Sequence, residues 1–195
     1  PQAPQEITED ITAGTVKGIL DMLNRSGEFD AGTETVRGIG YYQKSLDLLA
    51  SKFAKSFNDM NQGDALFDNG GNGGPITAEN ISISKGWNEG TTKIIASVKP
   101  GSPLGENDNI LNMISMLTEK IQYDTPSGNM IFKGSFQEMF TNTGSILALD
   151  VKSTTALLDN YVTISDETAN MRDNVSAVSL DEEGMNILHY QKSYN

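Results

Sequence analysis

The chain has 195 residues, 37% of them hydrophobic, and its 26 acidic against 14 basic side chains give a net charge of -12. That balance offers no basic face to neutralise phosphates, so nucleic-acid binding is not expected; the absence of cysteine excludes disulfides, thiol catalysis and thiolate metal sites. The longest strongly apolar clusters, such as Ile110 to Leu117, are far too short to span a bilayer, so no membrane insertion is expected.

Pro1 is not an initiator residue, and PQAPQEITED (1–10) is polar, without a charged-then-apolar signal segment. The chain reads as part of a longer one, opening on an extended or edge segment. From Ile11 to Leu23 apolar residues fall at Val16, Ile19, Leu20 and Leu23, one face of a helix. Asn24 to Gly32 is a turn cluster. A second periodic segment starts at Thr33 and runs through Ile39, Tyr42, Leu46, Leu49, Phe53, Phe57 and Met60, predicting a long helix. The composition then shifts. Asp68 to Pro75 (DNGGNGGP) is a glycine-rich loop, and in Ile76 to Ser84 the residues Ile81 and Ile83 alternate with serine, as in a strand. With a turn at Trp87 to Gly90 and a β-branched run at Thr92 to Val98, the expectation is a β-hairpin ended by Lys99-Pro100-Gly101. Asp108 stands where an N-cap should, opening a helix through Ile110, Leu111, Ile114, Leu117 and Ile121. Thr125 to Gly128 is a turn.

The stretch from Ser135 to Ser176 organises the rest. Phe136, Phe140, Leu147, Leu157, Tyr161, Ile164, Met171, Val175 and then Val178 follow a four-three spacing, a heptad seam. Thr143, Asp150, Thr154 and Thr168 put polar groups into the same series, and Val151, Leu158 and Val162 widen the face, so more than one neighbour is expected. One helix of that length would measure roughly 60 Å, against about 40 Å for a compact domain of this size. An elongated molecule follows. Gly144 and Asp159-Asn160 are the weak points, and a fold at the latter would instead give a helix hairpin. Ser179 to Glu182 fits a capping box, with Asp181, Glu182 and Glu183 favourable at the start of a last helix. That helix is expected to dock Leu180, Ile187, Leu188 and Tyr190 against the others.

Little here suggests chemistry. His189 is the sole histidine, which leaves neither a histidine pair for zinc nor an easily built triad. Asp181 to Glu183 point in different directions around a helix and are explained by its start. The Asp68 to Gly74 loop lacks the lysine of a phosphate-binding loop and the carboxylate spacing of a calcium loop. Asn24, Asn80 and Asn174 begin glycosylation-type triplets, a pattern frequent by chance. Trp87 is a candidate binding aromatic, or is partly buried against the helices. No cofactor, metal or catalytic residue is expected.

GSFQEMFTNTGSILALDVKS and MRDNVSAVSLDEEGMNILHYQKSYN resemble the C-terminal part of the flagellar hook-associated protein that forms the first junction ring between hook and filament. The most specific match is Val178-Ser179-Leu180-Asp181-Glu182-Glu183, then Asn186, Tyr190-Gln191 and Tyr194. Upstream, Gly14 with Gly18-Ile19-Leu20, Leu46-Asp47 through Ala54 to Phe57-Asn58, and Ile94 to Ser97 with Asn107-Asp108-Asn109 follow in the same order. Gly184-Met185 departs from the family, which usually has an acidic or small aliphatic pair there. The resemblance covers nearly the whole chain and only the second half of the family. It implies a non-enzymatic extracellular subunit of the bacterial flagellum, exported through the flagellar secretion channel without a cleaved signal. Implied partners are copies of itself in a ring, hook protein, the second junction protein and an export chaperone. Two rival readings are a flagellin-like filament subunit and a flagellum-associated binding or enzymatic module.

The expected architecture is mainly α: one elongated domain over 1–195, with long antiparallel helices in coiled-coil-like packing at 11–60 and 105–195. A small β-hairpin subdomain with the glycine-rich loop is inserted at 61–104.

Overall fold

The computed structural model describes residues 11–30, 36–99, 101, 103, 105–176 and 180–194. It is mainly helical, with two small antiparallel strand pairs. The chain divides into two compact units, Pro1–Leu147 and Ala148–Asn195. The expected segment at 1–10, the start at Thr33, and Val178 and Ser179 lie outside the described residues.

The first unit begins with α1 (Gly14–Asn24), no residue of which is buried; Val16, Ile19 and Leu23, placed on a covered face by their spacing, are exposed. The chain then reverses through a 3-10 turn (Gly27–Phe29) and an antiparallel bridge between Ser26 and Arg37, entering α2 (Ile39–Met60). Arg37 holds this corner, 2.6 Å from the Glu28 carboxylate and 5.0 Å above the Tyr41 ring.

α2 is the spine of the unit; the expected series packs in its second half, from Leu49 to Met60, whereas Ile39 is exposed and the buried positions are Tyr41, Ser45, Ala50 and Ala54. Leu48, Leu49, Phe53, Phe57 and Met60 pack on a core of Met116, Tyr123, Phe136 and Met139. Phe53 sits edge-on to Phe136 at 5.3 Å, and Phe67 meets Phe53, Phe57 and Trp87 at 5.3 to 5.8 Å between ring centroids.

Region 61–104 does not form the expected hairpin. β1 (Phe67–Asp68) pairs with β2 (Ser82–Ile83), in register Phe67 to Ile83, with the glycine-rich loop between them. Trp87 lies in a one-turn helix, α3 (Lys85–Asn88), capped by Ser84 Oγ accepting from Trp87 N at 3.1 Å. Thr92 to Val98 is no strand, because asparagine side chains take its backbone groups. Asn61 Oδ1 accepts Ile95 N at 2.8 Å, Asn61 Nδ2 donates to Lys93 O, and Asn109 Nδ2 donates to Ile95 O at 2.7 Å. A β-branched run has strand propensity only while its backbone lacks a better partner.

α4 (Asp108–Met116) starts with Asp108 as its first helical residue; Asn107 holds the cap position. It stops five residues before Ile121. Bonds from Leu117, Thr118 and Glu119 N to carbonyls three residues back tighten and close the last turn. Ile121 instead opens β3 (Ile121–Asp124), which pairs with β4 (Met130–Gly134) across the Thr125–Gly128 turn. The chain's hairpin therefore falls inside the region expected to be helical.

Tyr123 on β3 is fully buried, and its hydroxyl has no hydrogen-bond partner among the described residues. Burial pushes its phenol up to about 12. Removing an unsatisfied buried hydroxyl removes a desolvation cost, so Tyr123→Phe should raise the unfolding free energy by about 1 kcal/mol. Urea denaturation checks it: a loss of stability would mean that the hydroxyl is bonded.

Ser135 and Glu138 then form a reciprocal cap. Glu138 Oε2 accepts Ser135 N at 2.8 Å and Ser135 Oγ accepts Glu138 N at 3.2 Å. From it springs α5 (Phe136–Ser176), 41 residues that run unbroken through Gly144 and Asp159-Asn160, so the hairpin alternative falls. α6 (Leu180–Tyr194) is the last element.

Candidate assembly surface

The root of α5 meets the core of the first unit. Phe136, Met139 and Thr143 are buried, whereas Phe140, placed in the seam by its spacing, is 62% exposed. The buried line runs 136, 139, 143, and Met139, 1% exposed, is the anchor that the heptad series omitted. The signal was available. A helix packed on a hairpin at its base buries whichever side chains face that hairpin, and strict four-three spacing describes contact with another helix.

Beyond the root, the seam is uncovered. Leu147 is exposed, and so are Leu157 at 53%, Tyr161, Ile164 at 57%, Met171 and Val175. The flanking Leu149, Val151, Leu158 and Val162 are exposed with them. In the second unit, among the residues whose side chains are described, only Asp150, Ala169 and Gly184 are as much as half-buried. Of the polar members of the series, Thr143 donates its Oγ1 hydroxyl back to Met139 O at 3.0 Å, and beside the series Thr155 and Thr163 Oγ1 do the same to Val151 and Asp159 O, turning their hydroxyls onto their own helix.

The signature residues occupy α6. Leu180 and Asp181 open it, and Glu182 and Glu183 are exposed in its first turn, where carboxylates complement the positive helix end. Of the residues expected to dock, Ile187, Leu188 and Tyr190 are exposed, and the side chain of Leu180 lies outside the described ones. Ile187, Tyr190 and Tyr194 are spaced three and four apart and share one side of the helix, with Tyr194 95% exposed. Asn186 and Gln191 are exposed beside them, and the His189 and Tyr190 rings meet edge to face at 6.5 Å. No group of three metal-ligating side chains converges among the described residues, and no described helix is long and apolar enough to cross a membrane.

An isolated helix in water has no reason to align large apolar residues over this many turns. Exposed apolar rows of this extent mark contact surfaces.

Comparison with family models, with curated proteins and with solved structures finds no match for this chain.

Proposed function

We propose that this chain is a structural subunit of the bacterial flagellum, an adaptor in the ring that joins hook to filament. The observation that carries the structural half of this reading is the uncovered heptad row from Leu147 to Val175 on α5. The flagellar half rests on the resemblance of residues 134–153 and 171–195 to the junction-ring protein. In the assembled ring the row packs as a coiled coil against helices of the same long chain and of neighbouring copies, giving the bundle of long antiparallel helices. Each apolar side chain of the row contributes roughly 1.5–3 kcal/mol when fully buried. Hook protein, the second junction protein and an export chaperone complete the set of partners, and the site of action is extracellular.

Two substitutions test it. Because Leu157 and Ile164 are exposed in the chain alone, Leu157→Ala and Ile164→Ala should each change its urea-unfolding free energy by no more than about 0.5 kcal/mol. In cells the double variant should leave hooks without attached filaments, as seen by electron microscopy of the cell surface. Normal filaments on cells carrying the double variant would remove the row from assembly, and normal filaments on cells lacking the gene would end the adaptor reading. Self-polymerisation of the purified full-length protein into filaments would favour the flagellin-like alternative.

A further inference from the structure

The glycine-rich loop between β1 and β2 contains the chain's two Asn-Gly dipeptides, Asn69-Gly70 and Asn72-Gly73. We propose that Asn72 is a site of spontaneous deamidation and that the fold protects Asn69 from the same reaction. In this chemistry the backbone nitrogen of the following residue attacks the asparagine Cγ. The new N–Cγ bond replaces the Cγ–Nδ2 bond; the backbone proton leaves with the side-chain nitrogen as ammonia, and a five-membered succinimide remains. Water then adds to either ring carbonyl, giving aspartate or, with the main chain rerouted through Cγ, isoaspartate. Only water is consumed. A following glycine permits the attack because it has no Cβ to block the approach and restricts the backbone least.

By sequence the two dipeptides are equivalent, and the structure separates them. Asn69 is 7% exposed, and its Nδ2 donates to Gly74 O at 3.0 Å, fixing the amide across the loop. Its would-be nucleophile is also engaged: Gly70 N donates to Asp68 Oδ1 at 2.9 Å, which turns the N–H toward the carboxylate and away from Asn69 Cγ. Asp68 is itself held in place, since its Oδ1 also accepts from Ser82 Oγ at 2.9 Å. Both halves of the reaction at Asn69 are therefore restrained by hydrogen bonds anchored in the strand pair.

Asn72 is held less firmly on both counts. It is exposed, and its Nδ2 makes a single long bond of 3.3 Å to Asn69 O. Among the described residues, Gly73 N donates no hydrogen bond. Gly73 has φ +70°, and a Cβ built on it would meet nothing within 4 Å, so the backbone there has room to rotate into the attacking geometry. Conversion would add one negative charge at the loop tip. In its isoaspartate form it would lengthen the main chain inside the span that the Asn69–Gly74 bond closes. This inference is independent of any flagellar role.

Incubation of the full chain for days at mildly alkaline pH and 37 °C, followed by peptide mapping with mass spectrometry and enzymatic labelling of isoaspartate, tests it. The peptide with Asn72 should progressively gain the mass of a hydroxyl over an amino group, several-fold faster than Asn69 does. Asn72→Ser should remove most of the isoaspartate label. Asp68→Ala, which frees Gly70 N, should start conversion at Asn69. In urea the two asparagines should convert at similar rates, because only the fold distinguishes them. The proposal fails if Asn72 keeps its amide through the incubation, if Asn69 converts as fast in the folded chain, or if the Asn72 preference persists in urea.

Discussion

Gly38→Ala should destabilise the first unit by about 3 kcal/mol, far more than its single added methyl suggests. The backbone torsion is not the cause. Gly38 has φ -92°, which any residue adopts. The cause is a ring of carbonyl oxygens. A Cβ at Gly38 would lie against Met22 O and only 2.5 and 2.6 Å from Asp21 O and Arg25 O. These are main-chain atoms at the end of α1, where Arg25 N already donates to Asp21 O, so no side chain can swing away to make room. Gly38 N also donates to Arg25 O at 3.1 Å, which holds the two backbones at the distance the methyl would violate. The α1–α2 corner must open, and with it the Ser26–Arg37 bridge.

Gly144→Ala is the control. It sits inside α5 with nothing within 4 Å of a built Cβ and should gain up to about 1 kcal/mol through helix propensity. Urea denaturation of the two variants separates close packing from propensity. Equal midpoints would show that the corner has slack, and a gain at Gly38 would contradict the geometry outright.

The contrast between these glycines also marks what the sequence could tell. Periodicity located the helices because a stripe every three or four residues is a property of one element alone. That is why α2 reads correctly through Phe53, Phe57 and Met60, and why α5 is legible as one helix despite Gly144. It could not tell whether a stripe is covered: Leu48 and Leu157 are both leucines on apolar faces, and only the first packs in this chain. The hairpin at β3 and β4 was missed for a related reason. Ile121 continues the spacing of Ile110, Ile114 and Leu117, and nothing in that spacing records that the turn at Leu117 to Glu119 has already ended the helix. The Ser135 to Glu138 cap was readable, since its residue types and spacing are those of the motif. Region 61–104 was the least legible, because its order comes from single side chains bonding to distant backbone.

Asn61 is the strongest of those side chains, and Asn61→Ala should cost about 3–5 kcal/mol. It is completely buried at the end of α2. Its amide joins three backbone positions: Nδ2 donates to Asp64 O at 3.1 Å and Lys93 O at 3.2 Å, and Oδ1 accepts Ile95 N at 2.8 Å. Truncation leaves at least Ile95 N–H and Lys93 C=O without these bonds, and each such loss costs about 1–3 kcal/mol. The neighbouring Asn58 cannot compensate, because its own amide is committed to Leu66 and Phe67. Asn109 shares the load. Its Nδ2 donates to Ile95 O and Met60 O, so Ile95 is held at its N–H by Asn61, the cap of α2, and at its C=O by Asn109 in α4. A double-mutant cycle therefore discriminates this account from simple cavity formation. If both amides hold one segment, the first substitution releases it and the second adds less than its single-variant cost, giving a coupling of about 0.5–3 kcal/mol. Additive losses from Asn61→Ala and Asn109→Ala, or a small loss at Asn61 alone, would show that Thr92 to Val98 is held by something other than these side chains.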